Sequence, residues 1–361
     1  MLTALLVIAI LVLLIVAHEF GHFISAKIFG VKVEEFGFGF PPRAILFGTW
    51  GGTEYTINWI PFGGFVRLFG EDENAPRGRG SFTEAKRWKQ AVILAAGVIM
   101  NLIVAWMLFV GAYWVGILHV VDGADVPGEQ LLVTDIVPGS PADAAGIRAG
   151  DTIADVVDPG GVSSALTPDG VLNFVQDRGG EELSITYVRV DATSTATVRP
   201  ANAVIAQDAG RPAIGIGLAL VTARSVGLIG AMHDASIATY NAFIVVFSGL
   251  WTIIKETLHG APDLSTVTGP VGLVSAVGQA AQNGVGYILS LAAFISVNLA
   301  VINLIPIPAL DGGRIVVVAI EAAMRKSAPR LAVQLLNTIG VALIILLMIT
   351  VTYHDIANLI A

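Results

Sequence analysis

The chain has 361 residues, 55% of them hydrophobic and only 13% charged, with a mean hydropathy of +0.76. That composition excludes a water-soluble globular domain and calls for a membrane protein. Cysteine is absent, which rules out disulfides and thiolate metal sites, and a net charge of −8 with no Lys/Arg run rules out a nucleic-acid footprint.

Residues 2–17 form an apolar run, and the first basic residue is Lys27. With no positive region ahead of the run and no small-x-small cleavage site before the histidines that follow, it reads as a retained span and not as a signal peptide. Three further segments, 91–118, 285–307 and 331–352, match the first (3–28) in being apolar and long enough to cross a hydrocarbon layer roughly 30 Å thick. The segment 225–258 is different: its uninterrupted apolar centre "AFIVVFSGLWTII" is short, and His233, Asp234, Lys255 and Glu256 flank it. It is expected to lie along the interface or to pack on the bundle.

Nine of the chain's 20 Lys/Arg residues fall between Lys27 and Lys89, and four more, Arg314, Arg325, Lys326 and Arg330, separate the last two spans. The positive-inside rule then places loops 30–90 and 308–330 in the cytoplasm and 120–224 outside, where six basic residues face 14 acidic ones. The outer segment alternates strand-like runs ("LLVTDIV", "LSITYVRV", "TATVRP", "AIGIGLAL") with Gly/Pro/Asp turns, plus a helix near 168–177, and is long enough for one small independent core. The expected division is 1–119, 120–222 and 223–361.

The first span carries "HEFGH". On a helix His18 and His22, four apart, stack on one face and can share a metal, while Glu19 projects beside them as a general base toward a polarised water. Three ionisable residues inside one span are costly and mark a functional site. Catalytic zinc takes three protein ligands and leaves a position open. The candidates are Asp311, at the inner end of the third span, and Glu321, further into the cytoplasmic loop; depth favours Asp311, because the first span also delivers its histidines toward its inner end. Pro306 and Pro308 must open the backbone before Asp311, and Asn303, able to donate and accept, is placed to grip a substrate backbone there.

These residues carry a resemblance. His-Glu-x-x-His at His18 to His22 and Asn-x-x-Pro-x-Pro-x-Leu-Asp-Gly at Asn303 to Gly312 resemble the paired signatures of the site-2 protease family of intramembrane zinc metalloproteases, in its bacterial PDZ-containing branch. Nearly the whole chain is similar: "GFGFPPRAILFGTWGGTEYTINWIPFGGFVRLFGE" resembles the family's membrane-re-entrant β-hairpin, and "IVPGSPADAAGIRAGDTIADV" the core of a PDZ domain. One departure is visible, Val98 after Gly97 where the family reads Gly-Pro-x-x-Asn, with Asn101 kept.

The resemblance implies a multi-pass α-helical membrane protein of about four transmembrane helices, with a membrane-associated β-hairpin and one inserted extracytoplasmic PDZ-like α+β domain. It implies Zn2+ held by His18, His22 and Asp311, Glu19 as catalytic base, and Asn303 and Pro306 near the substrate. It also implies single-span membrane proteins as substrates, such as anti-sigma factors or remnant signal peptides, shortened first by a site-1 protease, and a place in the bacterial inner membrane. A helical substrate hides its carbonyls, so it must be drawn into an extended strand; Gly37 and Gly39 around Phe38 are expected to offer the sheet edge for it. The PDZ-like domain can bind a peptide terminus or act as a size filter, and the residues do not separate the two. A membrane zinc carrier, or a catalytically silent PDZ adaptor, are the competing classes; the first has no need of Glu19, and the second predicts a lost ligand or base.

Overall fold

The computed structural model describes residues 2–71, 78–120, 129–189, 192–202, 204, 210–224, 226–259, 269–326 and 328–360. Arg77, one of the nine basic residues between Lys27 and Lys89, lies outside them. The chain divides into two compact units: Met1–Val115 with Val226–Ala361, and Gly116–Ser225.

The first unit is a helical bundle. α1 (Leu2–Phe29) leads into two long strands, β1 (Val33–Trp50) and β2 (Thr53–Leu68), and α2 (Arg87–Val115) follows. Beyond the second unit come α5 (Leu228–Leu258), α6 (Pro270–Asn283), α7 (Val285–Leu304), α8 (Asp311–Met324) and α9 (Arg330–Ile360). α2 is the central post, packing against α1, α5, α7 and α8. Its contacts with α7 and α5 bury Phe109 and Val297 together with Ala105, Ala235 and Ala293, small residues that let helices approach closely.

Among the described residues five helices are long and apolar enough to cross a membrane: α1, α2, α7, Leu228–Glu256 of α5 and Leu331–Tyr353 of α9. The sequence reading counted four and set α5 aside for its short apolar centre. The helix runs on through the flanking polar residues, so length alone no longer distinguishes it.

β1 and β2 form a bent antiparallel ribbon. Trp50 pairs with Thr53 across Gly51-Gly52, whose φ values of 58° and 74° are those that a tight two-residue hairpin turn demands of both central positions. Further in, Gly37 pairs with Phe65 on one side and Thr56 on the other, and Phe38 with Gly64 and Ile57. The expected edge at Gly37–Gly39 is therefore interior to the sheet. A ribbon that bends through its glycines folds its distal half back onto that side, and the free edge near the bundle is residues 64–68.

The second unit holds β3 (Ile117–Val120), β4 (Glu129–Ile136), α3 (Pro141–Ala144), β5 (Thr152–Val157), α4 (Pro168–Gln176), β6 (Leu183–Arg189), β7 (Ala192–Val198) and β8 (Ile216–Arg224). Its six-stranded sheet has the order β3-β8-β4-β5-β6-β7 over a core that includes Val133, Ile147, Val156, Leu183 and Ile185. Both helices start at an alcohol followed by proline: Ser140 Oγ accepts from Asp143 N, and Thr167 Oγ1 from Gly170 N at 3.1 Å. Gly146 and Gly150 take φ of 79° and 94°, which explains both glycines of the Gly-x-x-x-Gly-Asp turn. The buried Asp151 ends that turn, accepting from Arg148 N at 2.8 Å and from Arg189 Nε and Nη2, each at 2.7 Å. Asp151→Ala should leave the half-buried Arg189 guanidinium with Gly146 O alone and destabilise this unit by about 1–3 kcal/mol; hydrogen exchange of the β4, β5 and β6 amides in the intact chain would report the loss as faster exchange confined to residues 129–224.

Candidate active site

Two glycines bring α1 and α2 together. A Cβ on Gly21 would lie 2.3 Å from Ala96 O, and one on Gly97 would lie 2.5 Å from His22 Nε2 and 2.8 Å from His18 Nε2. No side chain fits at either place, so α2 passes directly against both imidazoles. These are buried, edge-on to one another, with ring centroids 4.9 Å apart. Ile93, Gly97 and Asn101 recur every four residues on the face of α2 that meets them: His22 Nδ1 donates to Ile93 O at 2.8 Å, and Asn101 Nδ2 lies 3.3 Å from His18 Nδ1.

Asp311 arrives from the far end of the sequence. α7 ends at Leu304, and the prolines open residues 305–310, where Ala309 takes a φ of 76°. This loop folds back on the first turn of α8: a Cβ on Gly312 would be 2.3 Å from Leu304 O, and one on Gly313 2.2 Å from Ile307 O. The same loop is braced from α9, where Asn337 Oδ1 accepts from Ala309 N at 3.3 Å and Gly340 passes beneath Pro308 O. Asp311 at the helix start is thus held from three sides.

His18 Nε2 and Asp311 Oδ2 are 2.9 Å apart, His22 Nε2 and Asp311 Oδ2 3.2 Å, and the two Nε2 atoms 3.3 Å. His18, His22 and Asp311 are a set that could hold a metal ion, with candidate ligand atoms all within 4.8 Å of one another. The chemistry of the donors fits that group. A carbonyl accepts at His22 Nδ1, so the proton of the neutral ring is there and Nε2 is a bare lone pair. Asp311 Oδ2 is buried and receives no hydrogen bond despite its two close imidazoles. Acceptors converging without a proton between them repel unless a cation sits among them, and two protonated imidazoles at this distance would repel each other as strongly.

Glu19 lies beside this cluster, and its Oε2 accepts from Val66 N at 3.0 Å, on the free edge of β2. Together with Asn303, Asn101, Phe40, Gly64 and Arg314, these groups line a cavity of about 360 Å³. Asn303 is still helical, in the last turn of α7, so the opened backbone begins two residues after it. Pro306 does not line this cavity but a neighbouring one of about 920 Å³, which shares Glu71, Leu94, Ala309 and Arg314 with it. Gly37, Phe38 and Gly39 line neither. Sequence reasoning missed Gly97, Ile93 O and Val66 N. The spacing of Gly97 and Asn101 was a legible signal, whereas main-chain atoms leave none.

Two histidines, a carboxylate and a second carboxylate facing one cavity within a bundle of apolar helices make a membrane-embedded metal-dependent hydrolase. The sequence profile of peptidase family M50 matches residues 6–347. A Clostridium perfringens protein named as a zinc metalloprotease is 34% identical over 347 residues, 95% of each chain, and a similarly named protein of Clostridium acetobutylicum is 33% identical over 97% of each. Zinc metalloprotease RasP of Oceanobacillus iheyensis is 28% identical over 96% of each. A solved PDZ domain of an SdrC-like protein from Listeria monocytogenes covers 27% of this chain and 93% of its own, at 20% identity and a TM-score of 0.21. The chain belongs to peptidase family M50, the site-2 proteases, and is a zinc metalloprotease of the membrane.

Gly97→Ala should force both imidazoles aside and weaken zinc binding about 5- to 100-fold, since overpacking at a site without slack costs about 1–3 kcal/mol. Gly111→Ala on the same helix, where a Cβ would meet only Leu289 Cδ1 at 3.3 Å, should keep its zinc. Metal analysis of the two purified variants after equal dialysis checks the contrast.

Proposed function

We propose that His18, His22 and Asp311 hold the zinc ion, that Glu19 is the catalytic base, and that the chain cuts single-span membrane proteins in or near their transmembrane segment. One observation carries this reading: two imidazole nitrogens and a carboxylate oxygen converge within 3.3 Å of one another beside a second carboxylate, in a cavity walled by apolar helices. Zinc supplies Lewis acidity toward water and toward the scissile carbonyl. Glu19 takes the proton of the attacking water and passes it to the departing amine, which leaves as the C–N bond breaks. The Val66 N–H fixes one oxygen of its carboxylate and leaves the other for that exchange. Asn303, across the cavity, is placed to hold the substrate main chain.

The substrate enters as an extended strand along residues 64–68, in place of the Gly37–Gly39 edge expected from the sequence. Four helices cross the membrane. α1 and α7 both run antiparallel to α2: His18 meets Asn101 while His22 meets Ile93, and Leu289 adjoins Gly111 while Ser296 bonds the main chain of Asn101. α9 runs from Gly340 beside Pro308 to Asp355 beside Gly269, at the start of α6, and Gly278 of α6 adjoins Thr3 at the start of α1. α6 therefore lies on the side where α1 begins, which is also where α5 starts, Val226 N donating to Tyr113 O. An α5 that stays on that side reaches α6 without a second crossing. This supports α5 on the outer face, the positively charged loops and the site toward the cytoplasm, and the Gly116–Ser225 unit outside as a PDZ-like domain. A first cut by another protease shortens the outer part of the substrate.

Glu19→Gln should keep its zinc and lose at least about 10²-fold in cleavage, followed as the cytoplasmic fragment of a tagged single-span substrate on a blot; Asp311→Asn should lose both zinc and cleavage. Zinc retained by the intact chain with no fragment from a panel of truncated substrates would put the carrier reading first.

A further inference from the structure

Resting on the assignment of His18 as a metal ligand, we infer that Asn101 is a positioning residue of the metal centre: its amide oxygen accepts the His18 Nδ1 proton and so turns the bare Nε2 toward the ion. The two imidazoles need the same service. His22 obtains it from Ile93 O at 2.8 Å, which fixes its tautomer. His18 has the side chain of Asn101 in the equivalent place, at 3.3 Å from Nδ1. The amide as it stands offers Nδ2 to that nitrogen while its Oδ1 is buried with no donor in reach. A half-turn of the amide, which leaves its shape unchanged, gives Oδ1 its partner and gives His18 an acceptor for its proton; Nδ2 then turns to the far side of the amide.

Asn101 is well held for this role. It is 0% exposed, and its main-chain oxygen accepts from the equally buried Ser296 Oγ of α7 at 2.8 Å. The α2–α7 packing thus sets the depth of the amide against α1. An imidazole with no acceptor at Nδ1 places its proton on Nε2 for much of the time, and in that tautomer it offers the ion no lone pair. An apolar residue of Asn101's size keeps the packing and loses the proton acceptor. A carboxylate keeps the acceptor.

The test uses the intact chain in detergent and zinc alone, titrated against a competing chelator, so it needs no substrate. Asn101→Leu should weaken zinc binding about 10- to 100-fold, and Asn101→Asp should stay within about threefold of the unaltered chain or bind more tightly. Apo-protein melting temperatures of the two variants separate loss of metal from loss of fold. Equal zinc affinity in Asn101→Leu, or equal loss in both variants, overturns the inference. If Asn101→Leu does not fold, Asn101→Asp decides alone: retained affinity supports the acceptor role and lost affinity sinks it. An unaltered chain that binds no zinc fails the metal reading itself, which is a different outcome from variants that bind as well as it does.

Discussion

α1 and α2 approach so closely that neither Gly21 nor Gly97 has room for a Cβ, and everything else in the site follows from that approach. A helix axis brought this near offers the imidazoles main-chain and side-chain acceptors, where a bulkier residue would offer only a wall. Ile93 O and Asn101 stand one turn to either side of Gly97, and the ring nitrogens turned away from them point at Asp311. Leaving a buried acceptor unsatisfied costs about 1–3 kcal/mol, a cost that a cation among these atoms removes. Apolar surroundings sharpen this preference, since charge is screened less there than in water.

The rigidity of the third ligand complements that of the first two. The loop 305–310 cannot be helical with its two prolines, and a loop at membrane depth must pair its backbone groups with protein. Gly312, Gly313 and Gly340 let the loop's carbonyls lie directly on α8 and α9, and Asn337 takes the Ala309 N–H. Asp311 is thus placed by backbone packing and needs no long side chain to find its target. Arg314, one turn further on, pairs with Glu71 at 2.6 Å, and Glu71 accepts from Leu68 N at 3.2 Å. The helix that bears Asp311 and the strand edge that holds Glu19 are therefore tied to one another.

The parts of this arrangement that rest on side-chain identity and spacing could be read from the sequence: His18, Glu19 and His22 on one helix, Asp311 after two prolines, glycines at turns that need positive φ. The parts that rest on main-chain atoms could not. Val66 N and Ile93 O are contributed by residues whose side chains say nothing of hydrogen bonding. The sheet edge was misplaced because alternation and glycine mark a strand without telling which of its two sides is taken; only the bend of the ribbon decides that Gly37 has neighbours on both. α5 was set aside for its short apolar centre; in contact with α2 and α7 the helix continues through polar flanks that would end an isolated one, so its full length was not legible.

The proposed ligand set spans most of the chain, with the histidines near one end and Asp311 beyond α7. During synthesis the two imidazoles are made long before the carboxylate exists, and the intervening unit must be made first. Until α8 has emerged there is no third ligand. A peptidase assembled inside the same lipid that receives every newly made span is in this way without its hydrolytic centre for as long as it is itself an unfinished chain.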